Sequence, residues 1–417
     1  MKICWNILLL LPTVFSFNLT DSINNTYQGI LERNIFSYPV HLVHRPYSEF
    51  PNDIVSEGLG YGLLSAVFMN DRHTFEILMN TAESYMWSGH YYNWHLGENG
   101  QVMGYGAATD ADQDVAFSLI LACQKINAGE WPDRNLDFYQ RRIHTILNAM
   151  WDHSMIAGNG LLCPGANWGC GVIFNPSYFS PAWYRAFAEF DPQHNWRLVI
   201  EANYHLLANA KGFSNGLVPD WTNSQGSYAN SGDLGYNVYG DGHYFFKDGI
   251  RTLWRIGLDY LWNEEERARI YLDNAVHFLR AQGGAPAANF FRTEPDEDGS
   301  FLLPAEDTWT FDGGQKTRPR REHSPMTIAM WSIPFAMLGT NEEKLAFQDE
   351  LALFYEPGKH YWGKTNSPDD EDIQHNEMYF DQFLTIFGAL ILDQSLNATS
   401  APQQKNTKIG NIRVNLN

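Results

Sequence analysis

Three acidic segments of the chain carry side chains suited to proton transfer. In VSEGLGYGLLSAV, residues 55–67, Glu57 stands where an extended run meets a helix, with glycines at 58, 60 and 62. Glycine neighbours let another backbone or a ligand come close, and a helix start offers free N–H groups. Local pattern alone favours a plainer role for Glu57, that of a charge complementing the helix dipole. A dinucleotide loop does not fit, because Leu63 occupies the third glycine position.

The second segment, GYGAATDADQDVAFSLILA at 104–122, crowds Asp110, Asp112 and Asp114 at the start of a strongly apolar helix. Carboxylates so close repel one another unless a cation, a donor network or shared protons relieve them. A calcium loop of the EF-hand type needs Gly at its sixth position and Glu at its twelfth. Here those positions hold Val115 and Leu121. A solvated N-terminal cap accounts for one Asp better than for three. In the third segment, YFFKDGIRTLWRIGLDYLW at 244–262, Asp248 is expected to open a helix, with Arg251 three residues on and Arg255 one turn further. A nearby guanidinium favours the ionised carboxylate that a general base needs. A structural Asp–Arg cap pair explains the same spacing equally well.

The elements that must position these groups are helices. Apolar residues recur at helical spacing over 74–87, 112–126, 136–151, 181–190, 196–210, 248–262, 264–279, 325–338, 342–354 and 377–396. Strand alternation is scarce, and Gly and Pro punctuate the gaps. A series of helical hairpins predicts an all-α fold in a single domain over 17–400, followed by a loose polar tail at 401–417.

With 417 residues, 44% hydrophobic and only 18% charged, the chain can bury a large core, which excludes disorder for most of its length. The net charge of −20 repels phosphate backbones and anionic lipid, so neither nucleic acid nor a membrane surface is expected as partner. Fourteen Trp, 21 Tyr and 26 Phe exceed the usual needs of a core and hint at sugar binding, although large cores also use aromatics. Met1 and Lys2 followed by an apolar run to Leu11, with Val14 and Ser16 at −3 and −1, read as a cleavable leader of residues 1–16. Secretion, to an extracellular or periplasmic space, is the expectation. Asn18, Asn24 and Asn397 open glycosylation sequons. Cys163 and Cys170 bracket a Pro/Gly-rich loop suited to a disulfide, and Cys123 reads as a buried thiol. No C-x-x-C pair and no His-x-x-x-His ligand set is present, so neither metal nor cofactor is expected.

Taken together these segments resemble glycoside hydrolase family 8, the inverting hydrolases that include cellulases, chitosanases and xylan-cleaving enzymes. VSEGLGYG is similar to the family's acid-bearing block and AATDADQDVAFSLILA to its signature segment. NPSYFSPAWYRAFAEF (175–190), GLVPDWT (216–222), KDGIRTLWRIGLDYLW and YFDQFLTIFGALIL follow in the family's order. The resemblance covers roughly residues 50–396. It implies an (α/α)6 barrel, a general acid at Glu57, a general base at Asp248, and Asp110 at the sugar beside the scissile bond. It further implies Trp94, Asp112, Tyr178 and Arg251 as substrate-binding residues. Lys247 departs from the pattern, standing where many relatives carry Tyr, and Leu253 replaces the usual Pro before Trp254. The implied activity is a monomeric, secreted hydrolase of internal β-1,4 bonds in a glucan, with a polysaccharide or oligosaccharide as its partner. Chitosan, xylan or mixed-linkage β-glucan are the alternative substrates, and a non-catalytic carbohydrate-binding relative is the alternative class. In some branches an acidic residue on an inserted loop serves as base, for which Glu294, Asp296 and Glu306 are candidates.

Overall fold

The computed structural model describes residues 17–402, apart from 36, 38, 39, 47, 49, 167, 169, 230–243, 246, 289–308, 311–324, 364–378 and 398–399. The expected leader at 1–16, almost all of the expected tail at 401–417, and Glu294, Asp296 and Glu306 lie outside the described residues. Within them the first helices are α1 (Leu19–Arg33), α2 (Ser56–Phe68), α3 (Arg72–Tyr85), α4 (Thr109–Asn127), α5 (Leu136–Asp152) and α6 (Pro181–Phe190). Then come α7 (Trp196–Asn209), α8 (Arg251–Asn263), α9 (Glu266–Gln282), α10 (Pro325–Leu338), α11 (Asn341–Ala352) and α12 (Tyr379–Leu392).

The even-numbered helices form an inner ring and the odd-numbered ones an outer ring. α2, α4, α10 and α12 are buried nearly all round, as a helix enclosed by others must be. Each inner helix packs on the next, from α2 through α4, α6, α8 and α10 to α12, and α12 closes back on α2. An outer helix covers each: α3 on α2, α5 on α4, α7 on α6, α9 on α8, α11 on α10 and α1 on α12. Outer helices bury one stripe only, such as Phe75, Leu78, Met79 and Ala82 of α3. This is the expected (α/α)6 barrel. Its interior absorbs much of the aromatic excess: Trp183, Trp196, Trp254, Trp331 and Trp362 are fully buried, with Trp183 stacked on Phe117 at 3.8 Å and Trp254 on Phe387 at 4.7 Å.

Short strands sit at the helix ends. β1 (His44–Arg45), β2 (Asp53–Val55), β3 (His95–Leu96) and β4 (Val102–Gly104) form one antiparallel sheet in that order, with Ile54 opposite Leu96 and a register shift at His95/Leu96. Cys163 and Cys170 form a disulfide, and Cys123 is free and buried, its thiol pushed up to about 12 by burial.

Three expectations about elements need correction. Helix α1 was not among the expected segments; Leu19, Ile23, Tyr27 and Ile30 bury its apolar stripe, but intervening Asn, Ser, Thr and Gly obscure the pattern. The helix expected from Glu264 begins at Glu266, because Glu264 takes a left-handed conformation (φ 52°) that ends α8. Asp248 does not open α8. It lies in a turn of residues 247–250 whose Asp248 carbonyl accepts the Arg251 N–H at 3.0 Å, and the helix starts at Arg251.

Candidate active site

At one end of the barrel a single guanidinium gathers residues from three inner helices. Strand β2 leads directly into α2, which places Glu57 in the first helical turn, its side chain one-fifth exposed. Arg251, in the first turn of α8, donates from Nη1 to Glu57 Oε2 at 2.6 Å and to the Tyr61 hydroxyl at 2.9 Å. The same nitrogen lies 3.4 Å from Asp110 Oδ2, and Nη2 donates to Asp248 Oδ1. Both Glu57 and Asp248 thus bind the terminal nitrogens of one rigid fork. Their nearest oxygens are therefore no more than about 7 Å apart, the reach of two N–H···O contacts on either side of it.

The cluster is dry underneath and open above. Arg251 is 2% exposed, whereas the Asp248 side chain is 29% exposed. The turn carrying Asp248 is anchored by Gly249, whose N–H donates to Asp220 Oδ1 at 2.7 Å. A Cβ at Gly249 would stand 2.6 Å from the Val218 carbonyl oxygen, so this close approach requires glycine. Tyr379, at the start of α12, donates its hydroxyl to Glu57 Oε1 at 2.5 Å. The Tyr178 ring faces Arg251 at 5.5 Å, as does Phe380 at the same distance. Phe380 also faces Lys247 at 5.9 Å.

One guanidinium cannot neutralise three carboxylates, and Asp110 shows the consequence. Burial, then the neighbouring Glu57 charge, push its carboxyl up to about 8, so it holds a proton at neutral pH. Its Oδ1 has no partner among the described residues. The crowding of three aspartates in α4 is resolved by helical geometry, since residues two apart project to different sides. Asp110 and Asp114 point toward α8, where Asp114 pairs with Arg255. Asp112 points elsewhere and accepts the Tyr92 N–H at 3.0 Å; burial raises its carboxyl well above the usual range.

The structure therefore brings together Glu57, Asp110, Asp248, Arg251 and Tyr178. Asp112, expected to bind substrate, is fully buried on a different side of α4 from Asp110; its Oδ1 accepts the Tyr92 N–H, and its Oδ2 has no partner among the described residues. Trp94 accepts the N–H of Ser56, the residue before Glu57, at 2.9 Å on its carbonyl, and its half-buried indole is stacked on His95 at 4.8 Å and edge-on to Trp168 at 5.7 Å. Its indole rests on Gly104 of β4, where a Cβ would come within 2.4 Å of Nε1. The glycines after Glu57 serve helix packing and not ligand approach. A Cβ at Gly60 would meet the Asp114 Cβ at 2.9 Å, and one at Gly62 would meet Leu78 at the same distance.

Sequence reasoning missed Tyr61 and Tyr379. Tyr61 follows Glu57 by one helical turn, a signal that was available. Tyr379 is 322 residues away, and nothing local marks it as a partner of Glu57.

The chain is 36% identical over 234 residues to Endoglucanase 2 of Ruminiclostridium josui, covering 55% of this chain and 48% of that one. It is 34% identical over 237 residues to Endoglucanase A of Acetivibrio thermocellus, covering 55% and 47%. The chain thus matches about half the length of these curated relatives. Among solved structures it is similar to a β-1,3-1,4-glucanase from Paenibacillus sp. X4, with a TM-score of 0.68, 20% identity and 90% and 91% of the two chains covered. It is also similar to Rex8A from Paenibacillus barcinonensis complexed with xylose, with a TM-score of 0.64, 20% identity and 91% and 94% covered. The profile of Glycosyl hydrolases family 8 matches residues 44–281, a span that holds every member of the arginine cluster except Tyr379 and Phe380, and the chain belongs to that family.

Proposed function

We propose that the protein is a secreted hydrolase that cleaves internal β-1,4 bonds of a glucan with inversion at the anomeric carbon. The observation that carries this reading is the pair Glu57 and Asp248, held from opposite ends of one guanidinium and both reaching the open side of the cluster. Glycoside hydrolysis needs a proton on the leaving oxygen and an activated water on the opposite face of the sugar. In this assignment the proton reaches the leaving oxygen through Glu57, with the protonated Asp110 across Arg251 Nη1 as its reservoir, and Asp248 receives one from water. Inverting pairs stand about 6.5–9.5 Å apart to admit that water and retaining pairs about 5–5.5 Å; the Arg251-bridged span, at most about 7 Å, admits either, and inversion is read from membership of the family. Asp110, protonated at neutral pH and with one oxygen unpartnered among the described residues, is set to bond a hydroxyl of the sugar beside the cleaved bond. Trp94 offers its ring as a stacking surface further along.

The glucan assignment draws on the endoglucanases at 34–36% identity. A second reading, xylan or xylo-oligosaccharide, has a specific motive in the reducing-end xylose-releasing exo-oligoxylanase Rex8A of Paenibacillus barcinonensis, 27% identical over 238 residues. Secretion is supported by the Cys163–Cys170 disulfide, a bond of oxidising compartments.

Parallel assays on carboxymethyl-cellulose, mixed-linkage β-glucan, xylan and chitosan, with anomer-resolved product analysis, test the reading. Glu57→Gln and Asp248→Asn should each lower kcat by at least ~10²–10⁴ on the preferred polymer. Near-normal turnover in either variant removes that residue from its role, and products of retained configuration contradict a water-spaced pair.

A further inference from the structure

Beneath the arginine cluster lies a second carboxylate–guanidinium contact of different character. Asp110 and Asp114 are one turn apart on α4, and Arg251 and Arg255 one turn apart on α8. The two helices therefore face each other through two rungs. The upper rung, Asp110–Arg251, is loose at 3.4 Å and leaves Asp110 Oδ1 without a partner among the described residues. The lower rung is closed. Arg255 donates from Nη1 to Asp114 Oδ1 at 2.5 Å and from Nη2 to Oδ2 at 2.7 Å, and Trp183 Nε1 donates to Oδ1 at 2.7 Å. The Arg255 guanidinium lies on the Trp254 ring at 4.2 Å. Neither side chain reaches solvent, with exposures of 0% and 1%, so neither can touch a polymer in the groove.

The third inner helix meets this rung as well. Gly60 of α2 lies so close that an added Cβ would stand 2.9 Å from the Asp114 Cβ. Asp114 is thus where α2, α4 and α8 converge, and these carry Glu57, Asp110 and Arg251. A bidentate guanidinium–carboxylate pair fixes both distance and orientation between two helices, which apolar packing alone fixes less strictly. Such a pair adds little to stability when buried, because desolvation offsets the attraction, so its presence asks for another explanation.

We propose that the Asp114–Arg255 pair is a positioning device for the hydrolytic site, setting the offset between α4 and α8 at which Arg251 reaches Glu57, Asp110 and Asp248 together. This rests on the hydrolase reading for its kinetic test but not for its structural one.

The test uses the full chain as Asp114→Asn, Arg255→Met and the double variant. On soluble carboxymethyl-cellulose each folded variant should lose roughly 10²-fold in kcat, the cost of a misplacement near 1 Å, with KM within about threefold of wild type. A folded variant with wild-type kcat overturns the proposal. Should the single variants fail to fold because each strands a buried charge, the double variant decides, since a neutral pair is tolerated in a core. A crystal structure of the double variant supplies a readout independent of activity. Displacement of the Arg251 guanidinium from Glu57 by about 1 Å or more sustains the role. Superposition of Arg251 on its wild-type position overturns it. If wild type turns over none of the four polymers, the hydrolase reading fails, and the crystallographic comparison still decides the positioning role.

Discussion

Asp110 allows a quantitative test of the electrostatics of the site. Its carboxyl is raised from 3.8 to about 8, by burial first and by the Glu57 charge second. A carboxyl raised in the folded state binds its proton more tightly there than in the unfolded chain. Between pH ~4 and ~8 the folded state therefore holds one proton more, and stability falls as pH rises through that window. The slope is about 1.4 kcal/mol per pH unit for one proton, or roughly 3 kcal/mol between pH 5 and 7. Asp110→Asn keeps the shape of the protonated carboxyl and cannot ionise, so it removes this slope. Urea unfolding of wild type and variant at pH 5, 6, 7 and 8 gives the comparison, read from the midpoints at constant m. The stability of Asp110→Asn relative to wild type should climb steadily with pH and level off above pH 8. Parallel curves for the two proteins across pH 5–7 would refute the claim that Asp110 is buried and protonated beside Glu57. The variant should also be severely impaired in hydrolysis despite its added stability, because an amide offers a different donor to the sugar.

Tyr379→Phe removes the hydroxyl that donates to Glu57 Oε1; a hydrogen bond to a carboxylate is worth ~1.5–3 kcal/mol, so kcat/KM should fall about 10–100-fold, as steady-state kinetics would show. Gly60→Ala places a methyl 2.9 Å from the Asp114 Cβ, and overpacking of this kind costs ~1–3 kcal/mol, measurable as a lowered unfolding midpoint; an unchanged midpoint would mean that α2 and α4 can part freely there. Trp94→Ala should raise KM about 2–10-fold with kcat nearly unchanged, in line with ~0.5–1.5 kcal/mol for a stacked ring, and an unaltered KM would remove Trp94 from the sugar path.

Much of the barrel was legible along the chain because its helices are periodic. Segments 181–190 and 325–338 have the expected bounds, and the others differ by a few residues at their ends. What periodicity could not separate was inner from outer helix, since that depends on which neighbours enclose each one. Nor could it separate core aromatics from those in a groove: Trp183 and Trp254 look no different in sequence from Trp94, yet two are sealed in the interior and one lies half-buried beside Trp168.

The candidate site divides in the same way. Residue type and local spacing marked Glu57, the aspartates of α4, Asp248 and Arg251 as candidates, but their roles came from the resemblance to the family, since local pattern favoured a dipole charge for Glu57 and accounted for Asp248 equally well as a cap pair. Local pattern could not distinguish Asp110 from Asp112, whose fates were settled by the turn of α4 toward α8. It could not reveal that Tyr379 would bond Glu57 across more than three hundred residues, nor that Asp114 and Arg255 would lock together below. A carboxylate's partners and its proton depend on what surrounds it in space, and closure of the ring, with α12 packed back on α2, creates those surroundings.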